Sequence, residues 1–198
     1  TLRVHAAPPA PEMPAGLALR RRERQDAAAP GPPPGTRGNQ AMATSDRVFL
    51  VVVDDSSERV VALRYACLRA RKSGGRVALL RITEPPEIQE WAGVGELLRE
   101  ESRQEAEQIL SALAGEVQEI TGGLPILLIR EGEPVEQVLA LLDEDPRISI
   151  LVLATATNGS SPGPLITALT GRASGQLRCP LTIVPGSLAD EAMERVTS

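Results

Sequence analysis

Two adjacent carboxylates, Asp54 and Asp55, are the residues of this sequence best suited to chemistry. They follow the apolar run Val48–Val53 directly, and Ser56 and Ser57 come next. Oxygens of this kind either cap the N-terminus of a helix or accept hydrogen bonds from a polar ligand. The sequence alone leaves both interpretations open, capping of the following helix and ligand binding.

A second polar segment, residues 155–163, also follows an apolar run and is rich in Ser, Thr, Asn and Gly. Its backbone amides, hydroxyls and glycines are suited to phosphate groups. A carboxylate such as Asp54 can accept hydrogen bonds from an adenine or a ribose. The two segments together predict a nucleoside or nucleotide site where they face each other.

Several kinds of catalytic site lack their components. The only histidine is His5, and the two cysteines, Cys67 and Cys179, are far apart and have no ligand-spaced partner. Metal catalysis and Ser–His or Cys–His nucleophilic catalysis are therefore not expected. A nicotinamide-dependent enzyme would need a GxGxxG motif after a strand, which is absent. We expect a binding module and not an enzyme.

A response-regulator receiver is the sharpest competing interpretation, because its magnesium-binding acidic pair resembles Asp54–Asp55. That chemistry needs an aspartate at the end of the third strand and a lysine at the end of the fifth. The sequence has Arg130 and Glu131 at the first place and Pro185 and Gly186 at the second. Both requirements fail, so the receiver interpretation is disfavoured.

Charge and composition narrow the choice of partners. The net charge is −5, and residues 1–41 contain six arginines and three acidic residues, which leaves −8 on the rest. An acidic domain repels a polyanionic backbone, and 2% aromatic residues leave few rings for stacking on bases. We expect no nucleic-acid partner. Without an apolar run of membrane-spanning length, we expect a cytoplasmic location and no membrane partner.

The elements that must position these residues are five apolar runs of strand length, separated by helical periodicity. The predicted strands are Val48–Val53, Arg76–Ile82, Pro125–Arg130, Ile148–Ala154 and Leu181–Pro185. Four helices are predicted between the strands. The first follows Ser57, and the second occupies much of residues 87–121, with a bend or loop-like start at Gly93 and Gly95. The third follows Glu133, and the fourth runs from Pro164 to about Leu177. This alternation predicts an α/β fold, an open parallel sheet with helices on both faces.

The chain divides into three parts. Residues 1–45 hold eight of the 17 prolines and show no apolar periodicity, which predicts a disordered tail. Met42 stands just before the first strand, so we expect the natural start there. Residues 46–187 form the domain, and residues 188–198 are expected to be a C-terminal tail.

The run from Arg47 to Ala66, with Ile150–Ala154 and Cys179–Pro185, resembles the universal stress protein family. The resemblance covers residues 47–186, and residues 163–172 with 182–186 are most similar to bacterial, in particular alphaproteobacterial, members. It implies a Rossmann-like five-stranded parallel sheet of order 3-2-1-4-5. It also implies a role in stress response and a homodimer, often formed through the fifth strand; the protein partner is unknown.

In one subgroup of this family, ATP or AMP occupies the crevice. There, the resemblance implies a nucleotide contact for Asp54, with Val53 before it. It implies contacts to base and sugar for Ile82, Leu153 and Ala154. The other candidate function is a nucleotide-independent stress dimer that binds a partner, in which these residues are only structural.

The phosphate motif of that subgroup, Gly-x2-Gly-x9-Gly-Ser/Thr, is not matched. Ungapped alignment puts Ala154, Thr157 and Thr167 at its glycine positions. Glycines stand instead at three displaced positions, Gly159, Gly163 and Gly171, with Arg172 after the last. Because glycine allows a backbone to approach a phosphate, the cradle is either rebuilt on the displaced glycines or absent.

Overall fold

The computed structural model describes residues 47–85, 92–157 and 161–197, all within one compact unit, residues 40–198. Five strands form the sheet: β1 (Val48–Val52), β2 (Arg76–Thr83), β3 (Ile126–Glu131), β4 (Ile148–Ala154) and β5 (Leu181–Val184). Five helices accompany them: α1 (Arg59–Ser73), α2 (Ala92–Thr121), α3 (Pro134–Glu144), α4 (Pro164–Thr170) and α5 (Asp190–Thr197), with a 3₁₀ turn at Ser174–Gln176. The N-terminal residues predicted as a tail, with Met42, lie outside the described residues.

The sheet is parallel and has the strand order β3-β2-β1-β4-β5. Each strand begins and ends within one residue of its predicted limits. This agreement arises because a strand that is buried on both faces has a continuous run of aliphatic residues in its sequence. The predicted fold class and strand order are confirmed.

The central strand β1 separates two core clusters. Phe49 and Val51 pack on one face beneath α1 and α2, whereas Val48 and Leu50 pack on the other beneath α3 and α4. All four side chains are at most 2% exposed. Burying a large aliphatic side chain contributes about 1.5–3 kcal/mol, so these clusters fix the sheet on which the loops stand.

Two helix predictions need correction. α2 begins at Ala92, so Gly93 and Gly95 lie inside the helix and not in a loop-like start. The buried stripe of Ala106, Leu110 and Val117 outweighs the helix-propensity cost of about 1 kcal/mol per glycine. α4 ends at Thr170, well before Leu177, with Gly171 as its C-cap.

The predicted C-terminal tail, residues 188–198, contains a helix. α5 packs on α1 through Met193, which is 1% exposed, and through an ion pair of 2.9 Å between Arg64 and Asp190. Its eight residues are too short for a clear helical stripe in the sequence. Tertiary packing, which the local pattern does not report, stabilises it.

Candidate functional site

The carboxyl ends of β1, β2 and β4 open into a cleft of about 680 Å³ between the α1–α2 face and the α3–α4 face. Ligands of open parallel sheets bind at this place, where the strand order reverses, and the volume suits a small molecule. Of the predicted site residues, six line the cleft: Val53, Asp54, Ile82, Leu153, Ala154 and Gly163.

One predicted site glycine, Gly171, is not brought to the cleft. Gly171 caps the C-terminus of α4 and is not among the lining residues; a Cβ there would lie 2.9 Å from the carbonyl oxygen of Thr167. Its lack of a side chain is therefore explained by the helix end. Gly159 lies outside the described residues.

Gly163 lies at the cleft with φ +109°, a conformation that favours glycine. A Cβ there would meet no atom within 4 Å. The position is therefore set by the backbone turn that starts α4, and the space beside it stays open.

Asp54 stands where the chain leaves the sheet. The N–H of Val53 still donates to the carbonyl of Leu80 at 2.8 Å, and the turn begins at the next residue. Asp54 Oδ1 accepts from the N–H of Ser56 at 3.1 Å and from its hydroxyl at 2.5 Å. In the described part of the chain, Oδ2 accepts no hydrogen bond, so it is open to a donor in the cleft.

The prediction that Asp54, Asp55 or one of the two serines caps α1 is wrong. The N-cap of α1 is Glu58, and no side chain caps the helix. Asp54 instead closes a local turn on Ser56, as short acidic side chains often do. The capping alternative for the acidic pair is therefore excluded.

Glu58 makes contacts that the sequence pattern did not indicate. Its Oε1 accepts from the N–H of Thr157 at 2.7 Å and also from the Thr157 hydroxyl, and its Oε2 accepts from the Ser57 hydroxyl at 3.0 Å. These bonds, the Thr157 hydroxyl foremost, lower the pKa of Glu58 from 4.5 to about 2, although burial raises it. Glu58 is ionised at neutral pH and only 7% exposed.

The half of the cleft next to α3 and α4 is mostly apolar, with Glu133 and Arg172 as its charged residues. Its apolar residues belong to the core cluster of the α3–α4 face and line the cleft floor and wall: Val52, Ile82, Val135, Leu153, Leu165, Ile166 and Ala168. A flat heterocycle buried there would exchange water for aliphatic contacts. This half is chemically suited to a base and not to a charged group.

The other half is charged and includes an arginine that the sequence analysis missed. Arg81 donates to both oxygens of Asp55, at 2.8 and 3.0 Å, and to the carbonyl of Val53 at 3.1 Å. Its side chain is 14% exposed, whereas that of Asp55 is 83% exposed. The sequence did contain a signal for this contact, namely an arginine within the apolar run of β2. Buried arginines usually have a specific partner.

Arg59, the first residue of α1, also lines the charged half. Its Nη1 donates to the carbonyl of Ser56 at 2.9 Å. Its Nε is buried and has no hydrogen-bond partner among the described residues. Buried donors without an acceptor are uncommon, so Arg59 is a candidate to bind an anionic ligand.

A sequence model of the universal stress protein family matches residues 47–185, which is the whole sheet and the helices α1 to α4. The chain belongs to the universal stress protein family. No curated protein sequence matches it significantly. The bacterial branch suggested by residues 163–172 and 182–186 stays a prediction.

Solved structures of universal stress proteins have the same fold. The chain is similar to universal stress protein UspA from Lactobacillus plantarum (TM-score 0.59, 17% identity, 70% of this chain and 97% of that one). It is also similar to a family member from Burkholderia pseudomallei, with a TM-score of 0.54, 17% identity and coverage of 72% of this chain and 98% of that one. A third similar structure is a universal stress protein in complex with cAMP, with a TM-score of 0.53, 16% identity and coverage of 71% of this chain and 98% of that one. Identities this low show the fold alone.

Within the described residues, no helix is long and apolar enough to cross a bilayer. Among the same residues, no group of three or more His, Cys, Asp or Glu side chains is arranged to hold a metal ion.

Proposed function

We propose that this universal stress protein is a non-catalytic module whose cleft binds an adenine nucleoside or nucleotide. The observation that carries the proposal is the division of the cleft into a mostly apolar half and a charged half. The apolar half suits the purine, and Oδ2 of Asp54 suits a donor of the ribose or base. The similar protein in complex with cAMP supports an adenine ligand.

Calorimetric titration of the full chain with AMP tests the proposal. We expect micromolar binding that Asp54→Ala weakens about tenfold, because a hydrogen bond to a charged acceptor is lost. Asp143→Ala is the matched control, since Asp143 lies on α3 away from the cleft and pairs with Arg178 on the surface. Equal loss of affinity in both variants, or no binding near millimolar AMP, contradicts the proposal.

A second candidate function is a dimer that binds a protein partner without a nucleotide. The observation that favours it is the edge strand β5, which pairs only with β4 among the described strands and exposes Ile183 by 38%. An edge strand with a large exposed aliphatic residue is suited to pairing with a second copy. Dimerisation is compatible with both candidate functions, whereas AMP binding separates them.

A further inference from the structure

The amino-terminal ends of the strands, opposite the cleft, carry a row of arginines. Arg76 begins β2, Arg47 precedes β1 and Arg147 precedes β4. Arg178 lies shortly before β5. The strand order β3-β2-β1-β4-β5 therefore places these side chains along one end of the sheet, in the order Arg76, Arg47, Arg147 and Arg178.

The part of this row at β4 and β5 is neutralised by carboxylates. Arg147 donates to both oxygens of Asp145, each at 2.8 Å, and Arg178 donates to Asp143 at 2.8 Å. Both acidic residues belong to the end of α3, where Asp145 is the C-cap. The charges on this side of β1 are therefore paired.

The part of the row at β1 and β2 has no acidic partner. The N–H of Arg76 donates to the carbonyl of Arg47 at 2.8 Å, so the two side chains start from adjacent strands. The end of α1 lies close by, because a Cβ at Gly75 would be only 2.8 Å from that carbonyl oxygen, and the last turn of α1 adds Arg71 and Lys72. All four cations are exposed, and none makes an ion pair or a side-chain hydrogen bond with another residue that the structure describes. We call these four residues the basic end.

The charge of the basic end exceeds what the C-terminus of α1 requires. A helix C-terminus carries about half a negative charge, which cations in the last turn offset. Arg71 and Lys72 supply two positive charges there, and Arg47 and Arg76 add two more from the strands. Because like charges that stand close together repel, their accumulation without a carboxylate favours an anionic partner.

An exposed leucine lies beside the basic end. The register of β2 and β3 pairs Ala78 with Ile126, and the same register continued back to Arg76 reaches Leu124. Leu124 is 66% exposed, the largest exposed fraction among the large apolar side chains that the structure describes. Cations next to an apolar side chain suit a ligand that has both acidic and apolar groups.

A narrow acidic segment of a protein fits this surface better than a nucleic acid or a bilayer does. A broad polyanionic surface laid across the end of the sheet would also meet Asp143 and Asp145, and these carboxylates would repel it. A phosphate backbone has no apolar group for Leu124, whereas an acidic peptide can place a leucine there.

We propose that the basic end binds an acidic segment of a partner protein, and that Leu124 contacts an apolar side chain of that segment. The surface lies at the opposite ends of the strands from the cleft. The inference therefore goes beyond the proposed function and does not depend on nucleotide binding.

The test is fluorescence anisotropy of a fluorescein-labelled peptide made of glutamate and leucine, titrated with the full chain. Every protein in the series carries Arg20→Gln, Arg21→Gln, Arg22→Gln and Arg24→Gln, so that the arginine run of the N-terminal segment does not bind the peptide. We expect binding that weakens as salt is added, because exposed charges are screened.

Arg47→Gln combined with Arg76→Gln should weaken peptide binding about fivefold, because two exposed ion pairs are lost. Arg99→Gln combined with Arg103→Gln is the matched control. It makes the same change in net charge on α2, where Arg99 pairs with Glu131 at the carboxyl end of β3. The control should change the peptide affinity less than about twofold.

Leu124→Ser tests the apolar contact. It should weaken binding of the glutamate–leucine peptide at least about threefold, because a buried leucine contact is lost, and leave binding of a peptide made of glutamate alone unchanged. Saturating AMP should leave the affinity for both peptides unchanged, because the cleft lies at the other ends of the strands.

Several results would overturn the proposal. Absence of peptide binding, or equal loss of affinity in the two arginine double variants, excludes the basic end as the binding surface. Tighter binding of duplex DNA or of phosphatidylserine vesicles than of the peptide, at the same ionic strength, excludes an acidic protein segment as the preferred partner. A lower thermal midpoint of the variant at Arg47 and Arg76, with unchanged peptide affinity, would show that these cations only stabilise the fold. A peptide affinity that changes with AMP would contradict the independence of the two sites.

Discussion

At the scale of the residue, the carboxylate near the strand ends that is most firmly held is Glu58 and not a member of the acidic pair. Asp54 and Asp55 are both exposed at the end of β1, and each has one local or neighbouring partner. Glu58 is buried and joins α1 to the loop after β4, 99 residues away in sequence. The contribution of such a carboxylate to the stability of the fold depends on its ionisation, and therefore on pH.

The pH dependence of stability follows from the lowered pKa of Glu58. A carboxyl group with a pKa of about 2 in the folded protein and about 4.5 in the unfolded one stabilises the fold fully above pH 4.5. That stabilisation is lost as the pH falls from 4.5 to 2. We expect the thermal midpoint of Glu58→Gln to lie below that of wild type at pH 7, and the two to converge toward pH 2.

Thermal unfolding followed by circular dichroism between pH 7 and 2.5 measures this difference. Glu119→Gln serves as control, because the Glu119 carboxylate is exposed and makes no comparable contact with any residue that the structure describes. The midpoints of this variant should run parallel to those of wild type. A gap between wild type and Glu58→Gln that keeps the same size over the whole range would contradict the role given to Glu58.

At the scale of the element, the sequence predicts strands better than helix ends. β1 to β5 could be found because each is a run of branched aliphatics bounded by polar turns. The start of α2, the early end of α4 and the existence of α5 depend on packing partners elsewhere in the chain. Local periodicity carries no information about those partners, so the two helix ends were misplaced and α5 was missed for the same reason.

The residues of the site also differ in whether the sequence could predict them. Asp54 and Gly163 could be placed at the cleft because the ends of parallel strands meet at one edge of the sheet, whereas Val53, Ile82, Leu153 and Ala154 were expected there from the family resemblance. The bond from Thr157 to Glu58 and the engagement of Arg81 are tertiary contacts, which neither spacing nor residue type specifies. The two displaced glycines that the structure describes illustrate the limit, since Gly171 ends a helix whereas Gly163 lines the cleft.

At the scale of the whole molecule, we propose that copies of the chain associate through the edge strand β5. We expect the protein to sediment as a dimer of two 21.0 kDa chains, and Ile183→Lys to weaken dimerisation at least tenfold, because it places a charge on an apolar edge. Analytical ultracentrifugation over a range of concentrations measures this.

Val60→Lys is the charge-matched control for the dimer, since Val60 is 48% exposed on α1 and not on the sheet edge. Wild type that sediments as a monomer at every concentration would overturn the dimer. An equal effect of the two lysine substitutions would instead place the interface away from β5.

The position of a ligand in the cleft is directly measurable, because the core is aliphatic. Few aromatic rings are present in the chain, so a bound purine would be a clear source of ring-current shifts in methyl spectra. Titration of methyl-labelled protein with AMP should shift the signals of Ile82, Leu153 and Ile166, which line the cleft, and leave that of Leu113 on α2 in place. Unchanged cleft methyls, or shifts confined to Ile183 and the β5 edge, would contradict the proposal that the cleft binds an adenine ligand.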